Sequence, residues 1–366
     1  MNMASSIKTP ENIKPVRSSN IELLRILSII GVIILHYNNR TIGGGFEYSE
    51  GINHVILSVL ESVFISAVNI FVLISGYFMS KSQKRNIIKP LQLIVQVIIF
   101  SEAAYLIKCA AGSAVLSLKS LFSHLIPCNY FVILYVALYF ISPFLNIIMD
   151  KLNKKQSGVF VLMLTVIFSL WNTCVDFLEL LTGREWQGLS TIGIEGSQSG
   201  YTIVNFVLMY LIGSYIRKYY TEKESLGTAK LILVLAGVVA VLTAWQHLDS
   251  NSALSYFNPL VIMEAVIVFL LFLKIRMQSR IINTFSGATF SVFLLHTHLL
   301  PYLKIERFVT GNPFLMILHV ILSSILIYIA CWGVFMVYDK VMGLIYNFLT
   351  DKIPVLKKDL IQGENK

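Results

Sequence analysis

LILVLAGVVAVL (231–242) decides the fold. Twelve residues pass without a polar side chain, and they do not alternate as a barrel strand with one lipid face and one lumen face must. Lipid offers no partner to a backbone N–H or C=O, so a continuous apolar run of this kind is helical. Runs like it recur along nearly the whole chain. Ten are read as spans: roughly 21–38, 54–79, 88–110, 129–149, 158–178, 201–217, 229–247, 256–274, 281–303 and 314–338. Each is long enough, or nearly so, for a hydrocarbon core of about 30 Å. Composition agrees. Of 366 residues 56% are hydrophobic and 13% charged, with a mean hydropathy of +0.72. Polar side chains are too few to cover a water-soluble globule of this size, which excludes an ordinary cytoplasmic enzyme, a disordered chain and a disulfide-stapled secreted domain. The expected fold is all-α, a polytopic transmembrane bundle.

The net charge of +9 would ordinarily raise nucleic acid as a partner. Its distribution speaks for topology instead. With the N-terminus in the cytoplasm, 22 basic residues fall in cytoplasmic segments and 5 in outer loops, with Arg25 and Lys108 inside spans. Every cytoplasmic segment contributes, as the positive-inside rule requires. Both termini are therefore expected in the cytoplasm, with tails at 1–19 and 349–366 around one membrane domain at 20–348. No cleavable signal peptide is visible, and no internal repeat. The four cysteines (Cys109, Cys128, Cys174, Cys331) form no CxxC pair and read by default as small apolar core residues. The first three map near the outer face, which leaves room for one disulfide. There is no metal signature, no Walker loop and no dinucleotide fingerprint. Gly43-Gly44-Gly45 lacks the flanking strand and helix of a phosphate cradle.

In a chain so poor in charge, ionisable groups inside spans are costly and mark function. The first span reads NIELLRILSIIGVIILHYNN (20–39). Arg25 and His36 stand eleven residues apart, three helical turns plus about 20°, hence on one face and about 16 Å apart along the axis. Glu22, one turn before Arg25, is placed to pair with it. In the ninth span, FSGATFSVFLLHTHLLP (285–301), His296 is expected at the same depth as His36, so that the two imidazoles share one polar cavity. His298 is a nearby competitor. Glu264 and Glu102 are further candidates for the lining of that cavity. Lys81, Lys84, Arg85 and Lys89 cluster at one membrane mouth. Topology alone accounts for them, but such a cluster also suits a diphosphate.

These stretches resemble the acyltransferase-3 family of membrane acyltransferases, in the branch that O-acetylates surface polysaccharides. Arg25 to His36 matches the family's Arg-x10-His pattern. NIFVLISGYFMS (69–80), followed by KRNIIKP (84–90), is similar to its Ser-Gly-aromatic span and the basic stretch behind it. FSVFLLHTHLL (290–300) resembles the late-span histidine motif, and YFVILYVALYFISPFLN (130–146) a stretch common in polysaccharide-modifying members. One departure is that the family's Arg-x-x-Arg pair is here Arg85 and Lys89, four apart, with Asn86 at the spacing of three.

The resemblance implies transfer of an acyl group, commonly acetyl from cytoplasmic acetyl-CoA, to a hydroxyl of a carbohydrate or glycolipid acceptor at the outer face of a bacterial plasma membrane. His36 would be the essential imidazole and Arg25 would hold the donor or a charged intermediate. Lys84, Arg85 and Lys89 would grip the CoA phosphates, and His296, Glu264 and Glu102 would support. No metal is implied. No Gly-x-Ser-x-Gly elbow is present, so a serine acyl-enzyme has no support. General-base catalysis by His36 and a transient acyl-His36 both fit the residues. The competing reading is a multi-span transporter or polysaccharide exporter using the buried histidines and glutamates for protons.

Overall fold

The computed structural model describes residues 17–194, 196–222 and 226–353, and every regular element among them is helical. In chain order these are α1 (Ser19–Asn38), α2 (Gly45–Tyr48), α3 (Gly51–Phe64), α4 (Ala67–Met79), α5 (Ile88–Ala110), α6 (Leu118–His124), α7 (Tyr130–Lys151), α8 (Lys154–Thr165) and α9 (Trp171–Thr182). There follow α10 (Ile203–Tyr219), α11 (Thr228–Gln246), α12 (Ser250–Ala253), α13 (Pro259–Leu273), α14 (Arg280–Phe285), α15 (Thr289–Leu299), α16 (Glu306–Val309) and α17 (Pro313–Lys352). The expected tails lie mostly outside the described residues.

Seven stretches are long and apolar enough to cross a membrane: Ser19–Asn38, Gly51–Met79, Ile88–Ala110, Tyr130–Lys151, Lys154–Thr182, Thr228–Gln246 and Pro313–Lys352. The other three expected spans are helical but shorter or interrupted: α10, α13, and the run through α14, a 3-10 turn at Ser286–Ala288 and α15. Breaks also enter two of the seven. The second stretch parts at Ile65–Ser66, and the fifth carries a π-helical turn at Val166–Leu170 between α8 and α9. Hydropathy does not register either break, because one serine at each, Ser66 and Ser169, is too little to interrupt an apolar run.

Helix starts follow local chemistry. Asn129, Asn258 and Asn312 each accept a backbone N–H of the following turn, and the last two precede a proline at the first helical position. Asn153 and Gln156 form a reciprocal capping box on α8. α17 runs 40 residues, about 60 Å and twice a hydrocarbon core, well past the expected end at 338.

Two buried clusters hold the bundle. One joins α1, α15 and α17 through Ile33, Val292, Met316 and Val320. The other joins α4, α7 and α10 through Leu73, Leu138, Met209 and Tyr210. α4 and α10 cross closely at two glycines. A Cβ at Gly76 would lie 2.1 Å from the Tyr210 carbonyl oxygen, and one at Gly213 would lie 2.2 Å from that of Leu73. Small residues permit such backbone approach in membrane helices. This is the structural use of the glycine in the Ser75-Gly76-Tyr77 motif. Tyr77, next to it, accepts a hydrogen bond from Arg217 at 3.0 Å. Phe131 packs against both clusters and so marks the seam between them.

The cysteine reading needs correction. Only Cys331 is buried. Cys109 is half-buried, Cys128 and Cys174 are exposed, and all four are unpaired.

Candidate functional site

A cavity of about 530 Å³ opens at that seam, within the size of a small-molecule pocket. Five helical segments wall it, each with residues at helical spacing. α1 gives Arg25, Ile29 and Val32; α4 gives Val68, Phe71 and Ser75; α5 gives Lys89, Gln92 and Gln96; α7 gives Phe131, Tyr135 and Tyr139; the last wall holds Gly287, Thr289, Phe290 and Phe293. Arg25, Ile29 and Val32 continue to His36 on the same face, as the eleven-residue spacing requires. The cavity therefore runs from a cationic end, with Arg25 and Lys89, to an apolar end one turn short of His36.

At that end the two histidines meet. His36 Nδ1 lies 2.9 Å from His296 Nε2, with ring centroids 4.8 Å apart. The matching depth read from the sequence is thus a direct contact. Proton positions follow from the backbone. His296 Nδ1 is 2.9 Å from the Val292 carbonyl, which only accepts, so His296 carries its proton there and donates it. His296 Nε2 then accepts. His36 Nδ1, 3.0 Å from the Val32 carbonyl, must be the protonated donor to His296 Nε2 and that carbonyl. The remaining nitrogen of His36, Nε2, keeps its lone pair. A neutral imidazole held in one tautomer with a bare nitrogen is an arrangement suited to accepting a proton. His296 is buried, and His36 is half-buried. The glycine turn after α1 supports this end from above: a Cβ at Gly43 would sit 2.6 Å from the His36 carbonyl oxygen.

The cationic end differs from expectation. Arg25 Nη1 donates to Glu22 Oε1 at 2.9 Å and keeps its remaining donors at the cavity. Lys89 lines the cavity and is exposed, whereas Lys84 is exposed and does not line it, contrary to expectation. Arg85 is only 5% exposed and faces inward. Its Nε donates to Ser142 Oγ at 2.9 Å, Nη1 to the Ser82 and Lys84 carbonyls at 2.8 Å each, and Nη2 to the Met79 carbonyl at 3.0 Å. Four of five donors are thus committed, which leaves little for a phosphate. Arg85 is a staple for the 80–87 loop, and the phosphate-gripping role expected of it is corrected to that.

The anchor has a local cause. Pro143 has no N–H for the Tyr139 carbonyl one turn back. The Ser142 hydroxyl donates to that carbonyl at 2.7 Å and accepts from Arg85 with its lone pair. Asn146 adds bonds to the Met79 and Ser82 carbonyls at 3.0 and 3.1 Å. The Ser-Pro pair of 130–146 and the basic loop are therefore one unit.

Glu264 and Glu102 do not line the cavity, contrary to expectation. Glu264 is fully buried on α13 and accepts from Ser66 Oγ at 2.9 Å, at the break between α3 and α4. Glu102 lies partly buried on α5. Sequence reasoning missed Gln96, whose amide donates to Ser291 Oγ at 2.6 Å across the cavity wall. Two amides one turn apart, Gln92 and Gln96, amid the apolar residues of α5 were the available signal.

The family model described as "Acyltransferase domain", that of the acyltransferase-3 family, matches residues 18–336. The chain belongs to this family of membrane acyltransferases. Comparison with curated proteins and with solved structures gives no match.

The site separates two neighbouring cations. Lys89→Ala is expected to raise the KM for the acyl donor about tenfold, one charged contact's worth, with thermal unfolding of the detergent-solubilised protein unchanged. Arg85→Ala removes four hydrogen bonds of a buried guanidinium, leaves the Lys84 carbonyl without that donor and the Met79 and Ser82 carbonyls with only Asn146 as a side-chain donor, and is expected to destabilise by about 2 kcal/mol or more, read as a lowered Tm.

Proposed function

We propose that this acyltransferase moves an acetyl group from cytoplasmic acetyl-CoA to a hydroxyl of a carbohydrate or glycolipid acceptor at the outer face of a bacterial plasma membrane. Ten spans with both termini cytoplasmic accompany this reading. The observation that carries it is one cavity that runs from Arg25 and Lys89 to Val32 and Phe293, about one turn short of the His36–His296 pair. Arg25 and Lys89 would hold the CoA phosphates as cations at the mouth, and the apolar walls would take the pantetheine arm. His36 Nε2 would accept the acceptor's hydroxyl proton as its oxygen attacks the thioester carbonyl. The carbon–oxygen bond forms, the carbon–sulfur bond breaks, and the proton leaves on the CoA sulfur.

His296 then acts as a positioning residue. His296→Ala is expected to lower kcat about 10²-fold with KM for acetyl-CoA unchanged, because His36 loses its fixed tautomer. His296→Gln, whose amide oxygen can accept from Nδ1, should restore part of the rate, and equal rates for the two variants would count against the role. The function itself is tested by mass spectrometry of surface glycans in cells with the wild-type chain, the His36→Ala chain and none. Loss of an acetyl mass from the glycan in the last two supports the reading. Failure of the purified protein to bind acetyl-CoA would overturn it.

A further inference from the structure

A second cavity, of about 400 Å³, lies at the end of α9 and shares no lining residue with the first. It is built entirely from residues 172–197. Three carboxylates line it, Asp176, Glu179 and Glu185, together with Trp186, and among the described residues no lysine or arginine does.

The walls are held in place before any ligand arrives. Asn172, 1% exposed, accepts from Ser190 Oγ at 2.9 Å and the Thr191 N–H at 3.1 Å, and donates to Thr191 Oγ1 at 3.1 Å. Trp171 donates to the Leu189 carbonyl at 2.8 Å. These bonds sew the 184–194 loop onto the helix. Glu179 Oε1 accepts the Trp186 backbone N–H at 2.8 Å, and the indole N–H donates to Thr182 Oγ1 at 3.1 Å. Both ends of Trp186 are thus fixed, while the residue stays 38% exposed.

The carboxylates of Asp176 and Glu185 are acceptors without a described donor. Among the described residues no three His, Cys, Asp or Glu side chains converge closely enough to hold a metal ion. Acceptors spread around a cavity, rather than gathered on one point, suit a ligand with several donors distributed over its own outline. An oriented indole adds a flat apolar face.

We propose that this cavity is a binding subsite for a sugar ring that bears no acidic group. Ring hydroxyls donate to Asp176 and Glu185 in charge-assisted hydrogen bonds, the C–H face of the sugar covers Trp186, and a uronate, sialate or phosphorylated sugar is repelled. This inference rests on the reading of the acceptor as carbohydrate and narrows it to neutral or amino sugars.

The test uses the full chain in nanodiscs with neutral trisaccharides of glucose, galactose and N-acetylglucosamine, and trigalacturonate as the acidic probe. At least one neutral trisaccharide should bind at least tenfold more tightly than trigalacturonate. Trp186→Ala should weaken that binding tenfold or more, and Asp176→Asn with Glu185→Gln should erase the preference. Acetyl-CoA binding should be unchanged in all of these, which verifies the fold. No binding of any neutral trisaccharide overturns the proposal, as does binding indifferent to Trp186→Ala. Saturable calcium binding lost in Asp176→Asn would also overturn it, making the cavity a cation site. Failure of wild type to bind acetyl-CoA, with the sugar results intact, would sink the acyl-CoA reading and leave the subsite standing.

Discussion

Alanine in place of His36 is expected to lower acyl transfer by about 10²- to 10⁴-fold, the range a positioned proton acceptor contributes, with the protein still present in the membrane at wild-type level. The residue is half-buried and its two hydrogen bonds go to His296 and a backbone carbonyl. Its loss removes little packing, so rate and abundance separate cleanly. With acetyl-CoA held at the cationic end, as proposed, its affinity should be retained, since that end begins about 16 Å away along α1. The measurement is radiolabelled acetyl transfer in membranes normalised to protein by immunoblot. A variant with more than a tenth of wild-type rate would remove His36 from the chemistry. Rapid-quench labelling then distinguishes direct transfer from an acyl-His36, because only the second leaves label on the protein.

Leucine in place of Gly76 is expected to abolish the folded protein altogether. A Cβ there meets backbone of α10 at 2.1 Å, and backbone cannot swing aside as a side-chain tip can. Overpacking in a tight core costs about 1–3 kcal/mol when side chains can adjust. Here α4 and α10 must separate, which breaks the cluster of Leu73, Met209 and Tyr210 and the wall that carries Ser75. Size-exclusion chromatography in detergent should show aggregate or no protein for Gly76→Leu, and Gly213→Leu should behave alike. A monodisperse Gly76→Leu protein with acetyl-CoA binding intact would refute the account of this crossing.

How far the sequence discloses the molecule differs by feature. The all-helical architecture is legible in LILVLAGVVAVL because lipid forbids the alternatives. The pairing of Arg25 and His36 on one face is legible because helical geometry is rigid over three turns. The matching depth of His36 and His296 is legible from the rise per residue, but the contact between the two rings is not, because depth does not say which helices are neighbours. What escapes is orientation. Arg85 and Lys89 look equivalent as letters, yet one is consumed by Ser142 and three carbonyls while the other faces the cavity. Glu264 sits at the right depth but on the far side of α4, against a helix break that hydropathy cannot show. The excess length of α17 escaped because a span was ended at 338, whereas the helix continues through Asp339 and Lys340 to Lys352.

The missing N–H of Pro143 reaches further than its own helix. Between Met79 and Arg85 the chain is a strap of fixed length, tied at one end by the last carbonyl of α4 and at the other by the Ser142 hydroxyl that Pro143 calls into use. Lys84 and Lys89 flank the second knot. Relatives that keep the Ser-Pro pair should therefore vary by substitution over 79–85 and not by insertion. One added residue would slacken the strap and carry Lys89 away from the cavity.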